Sequence, residues 1–286
     1  MRVLDEGRLA ECTVAVTCDR QSATETARAF DAVAGDYDRT NRENPILSHM
    51  RGRALQVLRE RVARGSKVID LGCGPGTDHE VMRADGYRLT AVDASPEMVR
   101  QAQRRAAAAG GPDRPTILCC SIDQLATFGR GAFDAAFSNF GPLNCVPDLE
   151  GAAGRIREVL RPGGLLVASV IGRWCPWEIA LYLSKGDLGR AFLRFRRGMV
   201  PVPLRSGRIW TQYFTPQQFA RAFAAKGFRR CDLRGLGVIA PPPYLEAFAA
   251  RHPSVVSLLL EWDATIGRWP LARQAGDHFL IVLQRD

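Results

Sequence analysis

"KVIDLGCGPGTDHEVM", residues 67–82, decides the fold. The apolar run opened by Lys67 reads as a short buried strand, and a helix follows the glycines. Between them Gly72, Gly74 and Gly76 alternate with other residues, the first of them two positions after the acidic Asp70. Such a loop leaves bare backbone for a ligand to lie against with no side chain in the way. The dinucleotide fingerprint G-x-G-x-x-G fails in register: position 77 is threonine, and the third glycine falls at 76.

On the N-terminal side, Asn44 and Pro45 open an amphipathic helix through Leu47, Met50, Ala54, Leu58 and Val62, ending at Gly65. On the C-terminal side, "DGYRLTAVDAS" supplies a second strand, and Ser95 with Pro96 caps a helix through Met98, Ala102 and Ala106 that Gly110 and Gly111 stop. The alternation continues with "TILCCSI", "FDAAFSNF", a helix through Ile156 and Val159, and "LLVASVIG" after the turn "RPGG". Short strands alternating with helices predict an α/β fold: a mostly parallel sheet with helices on both faces. Ligands of such sheets bind at the carboxyl ends of the strands, and the first strand-to-helix loop is the usual anchor.

Composition is that of a globular enzyme, with 46% hydrophobic and 24% charged residues over 286 positions. Charges break every apolar stretch well short of the roughly 18–20 residues that a membrane span needs, and the N-terminus lacks the apolar region of a signal peptide, so a cytoplasmic protein is expected. None of the eight cysteines forms a C-x-x-C pair, and the adjacent Cys119 and Cys120 point to opposite faces of a strand, so neither disulfides nor a metal site is expected. The net charge of +9 admits nucleic acid, an anionic lipid surface or an acidic substrate without choosing among them.

In this context the loop resembles that of the class I methyltransferases that use S-adenosylmethionine, in particular the UbiE/BioC-like small-molecule group. The resemblance covers roughly residues 29 to 170 and returns in about the last fifty. It implies a Rossmann-like, seven-stranded, mostly parallel sheet and a helical lid made by inserts. It also implies that Asp70, Gly72, Cys73, Gly74 and Gly76 lie against the cofactor, and that Asp93, with Ala94 and Met98 beside it, accepts hydrogen bonds from the ribose hydroxyls. Asp70 and Asp93 also have plainer readings, as caps of the loop and of the next helix. "FDAVAGDYD" at 30–38 looks like the family's N-terminal segment, whose Tyr37 would close over the cofactor. Where the family often places an aspartate at the adenine, the register gives Ser121 and Ile122, with Asp123 as a rival. Asn139 and Phe140, at the end of the fourth strand, occupy the position facing the transferred methyl. The Pro-Pro motif of adenine and glutamine N-methyltransferases is absent, which counts against base methylation.

The boundaries that follow are an N-terminal extension at 1–28, a cofactor-binding core at 29–171, a lid insert at 172–214, a core continuation at 215–240, a second lid insert at 241–275 and a final strand at 276–286. All five tryptophans fall in the inserts. Trp174, Trp177, Trp210 and Tyr213 are therefore the candidate acceptor-binding residues, although aromatics equally form a lid's own core. Six arginines lie between 190 and 208, with Arg190, Arg194 and Arg197 on one helical face, either solvated or meeting an acidic carrier or lipid headgroup.

The expected function is methyl transfer from S-adenosylmethionine to a small aromatic or apolar acceptor, such as a natural product or quinone, by direct in-line displacement. None of His49, His79, His252 and His278 is assigned as a base. The alternatives are a carrier-bound or lipid acid acceptor, a nicotinamide oxidoreductase, or a nucleotide-binding module without turnover. No sequence-specific nucleic-acid partner is expected, and no oligomeric state is implied.

Overall fold

The structure, a computed structural model, describes residues 6–111, 113–205 and 207–286, with side chains from residue 21 onward except residue 40. Residues 1–5 of the expected N-terminal extension lie outside it. In chain order the strands are β1 (Lys67–Leu71), β2 (Arg88–Asp93), β3 (Thr116–Cys119), β4 (Phe133–Ser138), β5 (Leu160–Ile171), β6 (Val200–Leu204), β7 (Gly207–Thr211), β8 (Phe228–Leu236) and β9 (His278–Arg285). The helices are α1 (Glu6–Glu43), α2 (Pro45–Arg61), α3 (His79–Ala84), α4 (Pro96–Ala109), α5 (Leu149–Val159), α6 (Pro176–Ser184), α7 (Leu188–Ala191), α8 (Pro216–Ala224), α9 (Glu246–Arg251) and α10 (Pro253–Ile266). No described helix is long and apolar enough to cross a membrane.

Seven strands form one sheet in the order β3-β2-β1-β4-β5-β9-β8, parallel throughout except that β9 runs against both its neighbours. β1 shows why both faces are covered. Successive side chains alternate between faces, so Val68 joins the core built with α2, α9 and α10, while Ile69 and Leu71 join the core built with α5 and α8. The helices begin where local chemistry starts them. Asn44 Oδ1 accepts from the backbone N–H groups of Ile46 and Leu47 ahead of α2, and Ser95 Oγ accepts from Met98 N ahead of α4.

Chain order reverses between β1, which leads outward to β2 and β3, and β4, which leads to β5. The loops after β1, β2 and β4 therefore open at one sheet edge around a crevice.

The lid departs from the expectation in three ways. The first insert is not wholly helical: after α6 and α7 it ends in the antiparallel hairpin β6–β7. The second insert packs Ala249, Val256 and Leu260 onto the sheet core and reaches no wall of the crevice. The cover is instead α1, which runs unbroken through position 28 and lies against both α4 and the hairpin. Val33 and Ala34 bury against Met98, with Phe30, Tyr37 and Leu204 around them. "RPGG" is not a turn before β5 but an irregularity within it, at the register shift between β4 and β5.

Candidate active site

The crevice encloses a cavity of about 310 Å³ under α1 and the hairpin. Of the residues singled out from the sequence, Tyr37, Asp70, Gly72, Cys73, Gly74, Asp93, Ala94, Met98, Ser121, Ile122, Asn139 and Phe140 line it. Gly76 does not; it packs beneath the loop, where a Cβ would press on His79 and Ala102. Asp123 also borders the cavity, but its carboxylate is largely exposed and faces Arg155 at 3.4 Å, whereas Ser121 caps the 3-10 turn Ile122–Phe128.

The glycine loop is held by the strand beside it. Gly72 N and Cys73 N donate to Val92 O at 2.8 and 3.0 Å, and Gly74 N donates to Asp93 Oδ2 at 2.8 Å. Gly72 and Gly74 have φ of +73° and +54°, a region that costs any residue with a Cβ. A Cβ on Gly72 would strike the ring of Pro142, so this glycine serves the packing of two loops. One on Gly74 would meet nothing within 4 Å, because its α-carbon faces the cavity.

Asp93 carries two tasks. Besides Gly74 N, it accepts from Ser95 N through Oδ1 at 2.8 Å, fixing the entry to α4. A carboxylate offers about four lone-pair sites, so each oxygen keeps one for a ligand, matching a vicinal diol. An asparagine here would keep one of the two backbone bonds through its oxygen and turn its amide nitrogen toward the other N–H donor.

Asp70 is buried against His79 Nε2 at 3.2 Å, which gives this histidine a partner beneath the loop. Asp78 faces Arg51 Nη1 at 2.8 Å and accepts from Asn139 Nδ2 at 3.2 Å, while the Arg51 guanidinium lies 4.9 Å from the Phe140 ring centre. Burial pushes the Asp70 and Asp93 carboxyls upward; for Asp70 the His79 bond, and for Asp93 its two backbone bonds, oppose the shift. Four aspartates and one arginine on the wall, Asp70, Asp78, Asp93, Asp123 and Arg51, favour a cationic ligand. Phe140 holds φ of +61°, a strained value for an aromatic residue and one that concentrates at functional loops.

Two further carboxylates clamp the cover. Asp31 accepts from Ser95 Oγ at 2.5 Å and Glu97 N at 3.0 Å, and Asp38 accepts from Thr77 Oγ1 at 2.6 Å and pairs with Arg105. They stand seven residues apart on α1, two turns along one face. That spacing in "FDAVAGDYD" was the signal available for them, as it was not for Arg51, Asp78 or Thr211.

The aromatic residues proposed for the acceptor lie elsewhere. Trp174 is half exposed on the first insert, Trp177 donates to Ile239 O at 2.7 Å, and Trp210 donates to Glu25 Oε2 at 2.8 Å, joining the hairpin to α1. Tyr213 is buried with its ring 5.4 Å from the Arg194 guanidinium, and burial pushes its phenol up to about 12. None of the four borders the cavity.

Nor do the arginines at 190–208 form one charged face. Arg194 is buried: its guanidinium donates to Glu178 Oε2 and Asp277 Oδ1 at 2.5 and 2.6 Å and to the carbonyls of Gly172 and Asp277. Cys175, Glu178 and Asp277 together offer a metal's donor set, but Arg194 already supplies positive charge between the two carboxylates.

The sequence matches the family described as Methyltransferase domain over residues 68–164. It is 30% identical to the malonyl-acyl-carrier-protein O-methyltransferase of Salmonella typhimurium over 263 residues, 91% of this chain and 96% of that protein. The chain belongs to the class I S-adenosylmethionine-dependent methyltransferases. Demethylmenaquinone methyltransferase of Beutenbergia cavernae is 34% identical over 55% of this chain, and there the match spans 63% of the relative, less than two thirds of its length. The crystal structure of a Burkholderia thailandensis 1,6-didemethyltoxoflavin N1-methyltransferase, with 1,6-didemethyltoxoflavin and S-adenosylhomocysteine bound, shares the fold at TM-score 0.58 and 20% identity, over 93% of this chain and 90% of that one.

The cavity of this methyltransferase fits the family's cofactor on its own chemistry. Gly74 presents bare backbone, Asp93 would offer its two remaining lone pairs to the ribose diol, and the acidic wall would suit a sulfonium and an ammonium.

Proposed function

We propose that this methyltransferase acts on a small, largely apolar or aromatic acceptor. The observation that carries the reading is the composition of the cavity beyond Asn139 and Phe140, where Ala27 and Phe30 of α1, Val146 and Ile171 of the core, and Leu204 and Ile209 of the hairpin make an apolar enclosure. In it stand two buried threonine hydroxyls: Thr26 Oγ1 already accepts from Trp210 N, whereas Thr211 Oγ1 has only the Cys145 thiol beside it. The neighbouring Cys145 thiol, pushed up to about 11 by burial, stays neutral.

Bound S-adenosylmethionine supplies an electrophilic methyl group. The chain's contribution is then to hold the acceptor's nucleophilic atom in line and to exclude water, and positioning of this kind can account for about 7–11 kcal/mol of a barrier. No histidine among the described residues borders the cavity. Asp70, Asp78 and Asp93 are each engaged by protein partners. An acceptor that reacts without a dedicated base therefore suits the site. Hydroxylated quinone-type rings, related to the quinone named for the Beutenbergia relative, meet that requirement and the apolar wall: the ring hydroxyl gives its proton to solvent, and the resulting anion supplies the electron pair that displaces the sulfonium sulfur from the methyl group. A free carboxylate acceptor is less well served, because the one arginine on the wall, Arg51, is already neutralised by Asp78.

Incubation with labelled S-adenosylmethionine and paired acceptors, a hydroxylated bicyclic quinone against a dicarboxylic thioester, tests this reading. Turnover of the quinone is expected, and exclusive turnover of the thioester would overturn it. Thr211→Val sharpens the test. Removing a buried hydroxyl whose one neighbour is a weakly hydrogen-bonding thiol costs the fold little, so a nearly unchanged melting temperature is expected, with KM for the accepted quinone raised roughly fivefold to tenfold, about one lost hydrogen bond. An unchanged KM would remove Thr211 from the acceptor site.

A further inference from the structure

The first insert carries an apolar face that no described residue covers. Trp174, Leu188 and Phe192 are 50%, 63% and 48% exposed, and Leu183 is exposed beside them in sequence at the end of α6. The aromatics are not scattered: Trp174 and Phe192 both pack on the Phe195 ring, at centroid separations of 4.7 and 5.9 Å. Leu188 and Phe192, four residues apart across α7, project on the same side. Contiguous apolar surface of this kind marks an interaction site, whereas single exposed side chains do not.

Cations surround this face. Lys185 and Arg190 flank the Tyr182 ring at 5.9 and 5.7 Å, and Arg196 and Arg197 are exposed and form no ion pair among the described residues. Between 179 and 208 the single acidic residue is Asp187, which pairs with Arg190 at 3.4 Å. Arg194 is withdrawn into the interior and Arg205 faces Asp36, so neither belongs to the patch.

We propose that this face docks on an anionic lipid surface. Tryptophan, phenylalanine and leucine side chains set on short helical turns suit the boundary between headgroups and acyl chains, and arginines beside them suit lipid phosphates. An acidic protein would satisfy the cations but leave the protruding apolar tips needing a matching groove. The segment that carries Trp174 continues directly from Ile171 in the cavity wall, so docking places a lipid surface at the edge of the site. The docking itself does not depend on which acceptor is used.

Sedimentation of the full chain with phosphatidylcholine vesicles, with and without phosphatidylglycerol, tests the proposal. Binding is expected only to the vesicles that contain phosphatidylglycerol, weakening as salt rises. The double variant Arg196→Glu/Arg197→Glu should bind at least roughly 25-fold more weakly, since each basic residue lost near such a surface is worth about fivefold and the added carboxylates are repelled as well. Leu188→Ser/Phe192→Ser should also release the chain while leaving its charge unchanged. All four positions are exposed, so circular dichroism should show intact folds. Absence of binding to phosphatidylglycerol vesicles at low salt, equal binding by either double variant, or retention by an acidic carrier protein with vesicles ignored would each overturn it.

Discussion

Arg194→Leu should destabilise the fold by about 3–5 kcal/mol, the range for removing one partner of a buried ion pair. The residue lies in a run of arginines but faces inward, and its removal strands Glu178 and Asp277 side by side without their shared cation. It also leaves the Gly172 carbonyl without its Arg194 donor, while the Asp277 carbonyl keeps only the Gly172 N–H, at the junction where the first insert leaves β5. The loss should depend on pH in a defined direction. Burial raises the Asp277 carboxyl, but Arg194 and then His278 outweigh it and hold the group well below the usual carboxylate range. The contribution of a depressed carboxyl is complete above its unfolded pKa of about 3.9 and disappears as pH falls through its folded value. In the variant the carboxyls are instead disfavoured as anions, so acid relieves them. The gap between wild type and variant should therefore be largest near neutrality and narrow toward about pH 4. Urea unfolding across that window measures it. An unchanged midpoint at neutral pH would mean that the cluster contributes nothing, and a gap that widens in acid would contradict the charge assignment.

Gly74→Val should weaken S-adenosylhomocysteine binding on the order of 100-fold, toward the upper end of the 1–3 kcal/mol that overfilling a packed site costs. The position discriminates because a Cβ there meets no protein atom. Its φ of +54° adds a backbone penalty of roughly 1–2 kcal/mol, so some loss of stability is expected as well. Gly72→Val is the contrasting case: it collides with Pro142 and should damage the fold itself. Calorimetry on folded Gly74→Val showing wild-type affinity would place the cofactor elsewhere.

The parts of this molecule legible in its sequence are those set by neighbours along the chain. The glycine loop, the Asn44 and Ser95 caps and the alternation of strands with helices each depend on a few consecutive residues, and the parallel order follows from that alternation. Ser121 and Ile122 followed from counting back along the same segment to the end of its strand. What stayed hidden depends on distant pairing. Arg194 reads as one more surface arginine because its partner Asp277 is 83 residues away. The tryptophans read as an acceptor wall because they cluster in the inserts, yet Trp177 and Trp210 use their indole N–H groups to join segments 62 and 185 residues apart. Thr211 gave no signal; it matters because the hairpin brings its hydroxyl to the cavity wall, where only the Cys145 thiol lies beside it.

The cofactor reading depends on whether Asp93 binds the ribose diol of S-adenosylmethionine in the cavity. The most direct measurement leaves the protein unaltered: calorimetric titration of the wild-type chain with S-adenosylhomocysteine and with its 2′,3′-dideoxy analogue. One binding site per chain is expected, with a loss on removing both hydroxyls of at least about 1.5–3 kcal/mol, the worth of a hydrogen bond to a charged group. Equal affinity for the two ligands would contradict it.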